Sequence, residues 1–174
     1  GAMKRLALLF VLASCGLDNS LGGSLGEVFP IDISSAEVAR NDEAMQVTYF
    51  RNRGVFLDVV ARVSVSLRVD GTAEDGGSAY LVPTPGTKIE VVGEYAPGNP
   101  RCAVTNAPGG EPVRNMPRIK RGDFIITEGG GLGEVTAGNF SVLFESEGGD
   151  VGFGRTLFGN FKGELRDAGF GELP

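Results

Sequence analysis

The segment at residues 55–69 alternates apolar and other residues more regularly than any other part of the chain. Its odd-numbered positions are all apolar: Val55, Leu57, Val59, Ala61, Val63, Val65, Leu67 and Val69. Because successive side chains of a strand point to opposite faces, this pattern predicts a long β-strand with one face on a core and the other toward water. Such a strand is typical of an antiparallel sheet. Its length also favours a bend or a bulge within it.

Shorter stretches of the same kind occur along the rest of the chain. They lie at residues 45–50, 87–95, 123–127, 140–144 and 161–165. Turn-rich pieces separate them, and many of the 28 glycines fall there. Only residues 34–44 have a composition that allows a turn or two of helix. The sequence therefore predicts an all-β fold, namely a single antiparallel β-sandwich, with a β-barrel as the alternative.

A three-residue motif occurs twice near the end of the chain. The sequence Gly138-Asn139-Phe140 recurs as Gly159-Asn160-Phe161. Each copy opens a strand-like segment. We expect the two segments to form an antiparallel pair, although a spacing seen once is not a repeat array.

The first residues have the pattern of a targeting segment. Lys4 and Arg5 precede an apolar run at residues 6–13, and small residues then lead to Cys15. A short basic head followed by a short apolar core is typical of a secretory signal peptide. The apolar run is too short to span a bilayer, which needs about 20 apolar residues.

The residues Leu12-Ala13-Ser14-Cys15 resemble the lipobox of bacterial lipoproteins. The resemblance implies that a signal peptidase cuts between Ser14 and Cys15 and that Cys15 carries the lipid. It implies a protein of the bacterial cell envelope. Because Gly16 rather than aspartate follows the cysteine, it favours the outer membrane, with the periplasmic or surface side left open. The β-rich body itself resembles no family that we recognise.

These observations divide the chain into three parts. Residues 1–14 hold the signal peptide, preceded by Gly1 and Ala2, which are typical of the remnant of a cleaved tag. Residues 15–26 hold the lipidated cysteine and a Gly/Ser-rich segment with the composition of a flexible tether. Residues 27–174 form the predicted β-sandwich domain.

The charge of the body narrows the possible partners. The chain has 16 Lys and Arg and 22 Asp and Glu, a net charge of −6, and loss of Lys4 and Arg5 with the leader leaves 14 and 22, or −8. Such a body argues against nucleic-acid binding and against docking on anionic lipid. We therefore expect contact with the membrane only through the lipid on Cys15. The second cysteine, Cys102, is expected to be a small apolar residue, or to pair with Cys15 if lipidation fails.

The residue types limit the chemistry. The chain contains no histidine, which removes Ser-His-Asp and Cys-His mechanisms and the usual catalytic zinc ligand. Residues 22–26, Gly-Gly-Ser-Leu-Gly, match the letters of a nucleophile elbow but lie in the predicted tether. We predict that the protein is not an enzyme and has no resident cofactor.

Acidic residues gather in two turn regions. One region holds Asp70, Glu74 and Asp75, and the other holds Glu145, Glu147 and Asp150. Calcium binds several oxygen ligands in flexible loops, so either region could supply part of a calcium site. The alternative is that these carboxylates are solvated turn residues.

Three classes of function remain after these exclusions. The first is a lipid-anchored, non-catalytic envelope protein whose β-domain binds an envelope or surface protein or forms part of a surface assembly. The second is a carrier of a small apolar ligand in a barrel interior. The third is a calcium- or carboxylate-dependent enzyme. We favour them in that order, and the sequence leaves the oligomeric state open.

Overall fold

The computed structural model describes residues 18–69, 79–93, 101–103, 119–146 and 154–168. In these ranges the chain forms one short 3-10 helix, Ser24–Glu27, and eleven strands. The strands are β1 (Ser20–Gly22), β2 (Ser35–Arg40), β3 (Ala44–Arg53), β4 (Phe56–Ser66), β5 (Arg68–Val69), β6 (Ala79–Tyr80), β7 (Lys88–Gly93), β8 (Arg101–Ala103), β9 (Ile119–Glu128), β10 (Val135–Phe144) and β11 (Thr156–Asp167). The predicted all-β class is confirmed.

Most of the strands belong to one sheet. Its order is β7-β9-β10-β11-β2-β3-β4-β8, with β1 also paired to β11, while β5 and β6 form a separate pair. Neighbouring strands are antiparallel except β11 and β2, which run parallel where Leu165 pairs with Val38. The sandwich is therefore mixed rather than purely antiparallel, because these two strands are distant in sequence and need no hairpin between them. Within the described residues the sheet is not closed into a barrel.

The sheet forms two layers that share β11. The A layer contains β1, β7, β9, β10 and most of β11, and the B layer contains β2, β3, β4 and β8. The layers meet through Tyr49 of β3, whose ring centroid lies 6.0 Å from that of Phe140 in β10. The Tyr49 hydroxyl donates a hydrogen bond of 3.1 Å to the carbonyl of Asn160 in β11. This face-to-face contact makes the fold a β-sandwich.

Apolar side chains from both layers fill one core. The largest of those that are fully buried are Tyr49, Phe124, Phe140, Phe144, Phe161, Leu25 and Met45. The rings of Phe124 and Phe161 stack with centroids 5.2 Å apart. Strand β10 shows the expected alternation, since every second residue from Thr136 to Phe144 is buried.

The repeated Gly-Asn-Phe motif aligns with itself across β10 and β11. Gly138 lies opposite Phe161, and Phe140 lies opposite Gly159. A Cβ atom at Gly138 would overlap the Phe161 ring, and one at Gly159 would lie 2.7 Å from the Phe140 ring. The predicted antiparallel pair is confirmed, and each glycine makes room for the ring of the other motif.

The predicted long strand contains a β-bulge at Val60. Tyr49 pairs with Ala61 while Phe50 pairs with Val59, which leaves Val60 as the extra residue. Val60 and Ala61 are therefore both buried. The odd-numbered positions stay buried from Ala61 to Leu67, whereas on the other side of the bulge Leu57 lies on the exposed face. The bulge was predicted, but its effect on the faces was not. Val55 and Leu57, predicted in the core, are 91% and 56% exposed.

The other face of β3 and β4 is also buried, contrary to the prediction that it meets water. Ser64 and Ser66 are buried. The Ser64 hydroxyl donates a hydrogen bond of 2.9 Å to Gln46 Oε1, and Gln46 Nε2 donates one of 3.4 Å to Thr48. These side chains can be buried because they hydrogen-bond to one another.

The helical turns considered for residues 34–44 are absent from the structure. This segment forms β2 and a tight turn into β3. The Asn41 carboxamide oxygen accepts hydrogen bonds from the backbone N–H groups of Glu43 and Ala44. Asparagine favours such turns because its side chain replaces a backbone acceptor.

The predicted tether is wrong for residues 18–26, which belong to the fold. Strand β1 pairs with β11, and Leu25 is fully buried in the core. The backbone N–H of Ser24 donates to Thr156 Oγ1 at 3.1 Å, and the N–H of Thr156 donates to Ser24 Oγ at 3.0 Å. Arg155 forms an ion pair with Glu27. We call residues 20–27 the N-terminal clasp. Its small residues permit close approach to β11, a use of glycine that composition does not distinguish from flexibility.

Candidate functional site

Most of the residues predicted to carry function lie outside the described part of the chain. They are Ser14, Cys15, Asp70, Glu74, Asp75, Glu147 and Asp150. Glu145 is described and half-buried, and its backbone carbonyl accepts a hydrogen bond of 3.3 Å from the N–H of Gly154. Among the described residues, no group of three or more His, Cys, Asp or Glu is placed to hold a metal ion. The lipid and calcium sites stay predictions.

The outer face of the A layer brings side chains from four strands into one row, polar on three of them and aromatic on the fourth. Glu90 of β7 lies opposite Asp123 of β9. Asp123 in turn lies opposite Ser141 of β10, and Ser141 lies opposite Phe158 of β11. Cβ atoms of directly opposed residues are about 5 Å apart, so these side chains can act on one ligand.

Two basic side chains lie near the two carboxylates in this row. Glu90 and Asp123 are like charges on facing positions, which disfavours their pairing. Lys88 Nζ lies 3.0 Å from the Asp123 carboxylate, with both side chains about half exposed. Arg121 lies two residues before Asp123 and so on the same face of β9. Because the groups are solvated, this ion pair adds little stability and leaves its members available to a partner.

These side chains line a cavity of about 540 Å³, which we call the charged cleft. Its lining includes Lys88, Glu90, Arg121, Asp123, Ser141 and Thr156. The volume falls in the range of ordinary ligand pockets. The cleft offers two cations, two carboxylates and two hydroxyl groups, so it can recognise a polar ligand or polypeptide by charge and hydrogen bonding.

A smaller cavity lies on the A layer beside the start of the described chain. It has a volume of about 250 Å³, and its lining includes Asp18, Glu128, Asn139, Asn160 and Lys162. Lys162 Nζ lies 3.7 Å from the Glu128 carboxylate. The backbone N–H of Lys162 donates a hydrogen bond of 2.8 Å to Asn19 Oδ1. The chain therefore enters the fold at this cavity.

The elbow-like residues 22–26 are part of the N-terminal clasp. A strand precedes Ser24 and a 3-10 helix follows it, but the Ser24 hydroxyl contacts Thr156 rather than a base. The chain contains no histidine that could take its proton. The arrangement joins β1 to β11.

The charged cleft was missed by the sequence analysis. Lys88 and Glu90 alternate with the apolar residues of β7, and Arg121 and Asp123 flank Gly122 in β9. This alternation identifies outward positions on each strand. It does not reveal that β7 and β9 are neighbours, because the strand order depends on distant pairing.

No protein-family model, curated protein or solved structure matches this chain. Across the described ranges, none of the helical structure has the length and apolar character needed to cross a membrane.

Proposed function

We propose that this chain is a non-catalytic, lipid-anchored protein of the bacterial outer membrane whose β-domain binds a protein partner at the charged cleft. The observation that carries the proposal is the exposed row from Glu90 to Phe158, which passes through the cleft. The anchor rests on the resemblance of residues 12–15 to a lipobox.

The composition of the cleft favours a polypeptide partner. Charges of both signs on an exposed surface orient a partner and exclude wrongly charged ones. Phe158, which is 51% exposed at the end of the row, adds the aromatic contact that protein interfaces commonly use. A small apolar ligand would leave four charged groups without a role.

Crosslinking in cells tests the site of binding. A photoreactive amino acid at position 141 should yield a discrete adduct with one envelope protein, because Ser141 lines the cleft. The same amino acid at exposed position 43, in the β2–β3 turn, should give no such adduct. Equal labelling from both positions would contradict a specific interface.

Charge reversal provides the matched comparison. Lys88→Glu with Arg121→Glu should reduce the adduct by about tenfold or more, since like-charge contacts at an interface are strongly unfavourable. Lys120→Glu is the control, because Lys120 is exposed on the same strand but does not line the cleft. An adduct unchanged by the double reversal would overturn the assignment of the cleft.

A separate measurement tests the anchor. Cells that express the chain with its natural leader should attach a clickable fatty acid to it, and Cys15→Ala should remove both the label and the membrane fractionation. Label that persists in Cys15→Ala would show that the anchor is assigned wrongly.

A further inference from the structure

We infer that the acylated cysteine holds one margin of the A layer against the lipid bilayer, so that the domain has a fixed orientation on the membrane. The inference rests on the proposed lipidation of Cys15 and departs from the expectation that only the lipid meets the membrane. We call the contacting surface the β1 margin; it comprises residues 18–22 and the neighbouring Asn160 and Lys162 of β11.

The chain between the anchor and the fold is short. Only Gly16 and Leu17 separate Cys15 from Asp18, which already lines the smaller cavity. Three peptide units span at most about 11 Å between the Cα atoms of Cys15 and Asp18. Strands in a sheet lie about 4.8 Å apart, so this reach covers roughly two strands. The bilayer surface must therefore lie beside β1 and β11.

Hydrogen bonds of the neighbouring Asn19 and Ser20 keep Asp18 close to β11. The Asn19 side chain accepts a hydrogen bond from the backbone of Lys162, and Asn160 Nδ2 donates one of 3.3 Å to Ser20 Oγ. Strand β1 adds its ladder to these contacts. From Asn19 onward the chain is thus fixed to the sheet.

The chemistry of the β1 margin suits a lipid headgroup layer. Asn160 and Lys162 supply amide and ammonium donors for phosphate and glycerol oxygens. Lys162 pairs with Glu128, and Asp18 adds a further negative charge beside them, so the contact does not depend on attraction to anionic lipid.

This orientation leaves the charged cleft accessible. The cleft is centred on β9, two strands from β11 in the sheet order. Its near end reaches β11 at Thr156, four residues before Asn160, and its far end at Lys88 and Glu90 of β7 lies about 14 Å away across the strands. A partner would reach it close to the membrane surface.

Fluorescence quenching by lipid tests the inference. The chain is produced with its leader in a bacterium that acylates lipoproteins, with Cys102→Ser and one new cysteine for a fluorophore, and is reconstituted in phosphatidylethanolamine–phosphatidylglycerol vesicles that contain a headgroup spin label. A fluorophore on Asn160→Cys should be quenched at least about twofold more than one on Glu43→Cys, because only position 160 lies within the reach of the anchor. Equal quenching would overturn the inference.

A longer tether supplies the decisive control. Twelve Gly and Ser residues inserted between Leu17 and Asp18 raise the maximal span to about 50 Å and the root-mean-square distance to about 20 Å. Quenching at position 160 should then fall to the level at position 43. Persistent excess quenching would show that the short connection is not its cause. The mass of the same sample reports acylation: an unmodified Cys15 contradicts the proposed anchor, whereas an acylated chain with equal quenching contradicts only the orientation.

Discussion

The N-terminal clasp and the tip of the β3–β4 hairpin both differ in burial from what their compositions suggest, but in opposite directions. The clasp contains Gly22, Gly23 and Gly26, yet its Leu25 is fully buried. The hairpin tip, residues 52–57, contains Val55 and Leu57, yet both are more than half exposed. Composition therefore did not decide which segment joins the core.

The difference depends on whether another strand of the same chain is available for the segment to pack against. The clasp has a strand to pair with, and Ser24 and Thr156 exchange hydrogen bonds across that pair. In the hairpin tip Val55 lies in the turn, and the bulge at Val60 turns Leu57 away from the core. At its base, Arg51 donates hydrogen bonds to the carbonyls of Pro30 and Asp32. The tip is thus held in position without being buried.

Removing the clasp should have the largest effect. A chain that begins at Glu27, where the domain was predicted to start, loses β1 and Leu25, and we expect it to lose cooperative unfolding by urea. A chain that begins at Asp18 keeps both and should unfold in one transition. Similar transitions for the two chains would show that residues 18–26 behave as a tether after all.

Two leucine substitutions compare the regions directly. Leu25→Ala should lower the free energy of unfolding by about 2–5 kcal/mol, because it opens a cavity in the core. Leu57→Ala should change it by less than about 0.5 kcal/mol, since most of that side chain is in water. Equilibrium urea denaturation measures both values. Equal losses would remove the distinction between clasp and tip.

Two glycine substitutions separate backbone strain from lack of space. Gly23 and Gly54 both have positive φ, 120° and 70°. A Cβ atom at Gly23 would overlap the Thr156 carbonyl, whereas at Gly54 nothing lies within 4 Å. We expect Gly54→Ala to cost about 1 kcal/mol and Gly23→Ala about 3 kcal/mol in unfolding free energy. Equal decreases in the Tm of the two variants, measured by calorimetry, would mean that the clasp can move away from β11.

The sequence predicted the strands better than their arrangement. Alternation identified β3, β4 and β10, and the repeated motif identified the pairing of β10 with β11. The bulge at Val60 could be expected from the strand length, but not its position, which places Leu57 on the exposed face, nor that Val55 lies in the turn before β4. The parallel pairing of Leu165 with Val38 depends on a contact between distant segments.

The candidate site was predictable only in part. The anchor residue Cys15 could be inferred because a targeting signal is read as linear sequence. The cleft could not, because Glu90 and Asp123 become neighbours only when β7 pairs with β9. The calcium prediction rested on carboxylates near one another in sequence, and of these the structure describes only Glu145.

The two Gly-Asn-Phe motifs also favour one pairing register of β10 and β11. In the native register each phenyl ring lies opposite a glycine. A slip of two residues in one direction would place Phe140 opposite Phe161, and a slip in the other would place it opposite Leu157. In both cases Gly138 would face another glycine, which offers no ring to fill the space. A slipped hairpin thus combines crowding with a void, so the two motifs favour the native register over its nearest alternatives.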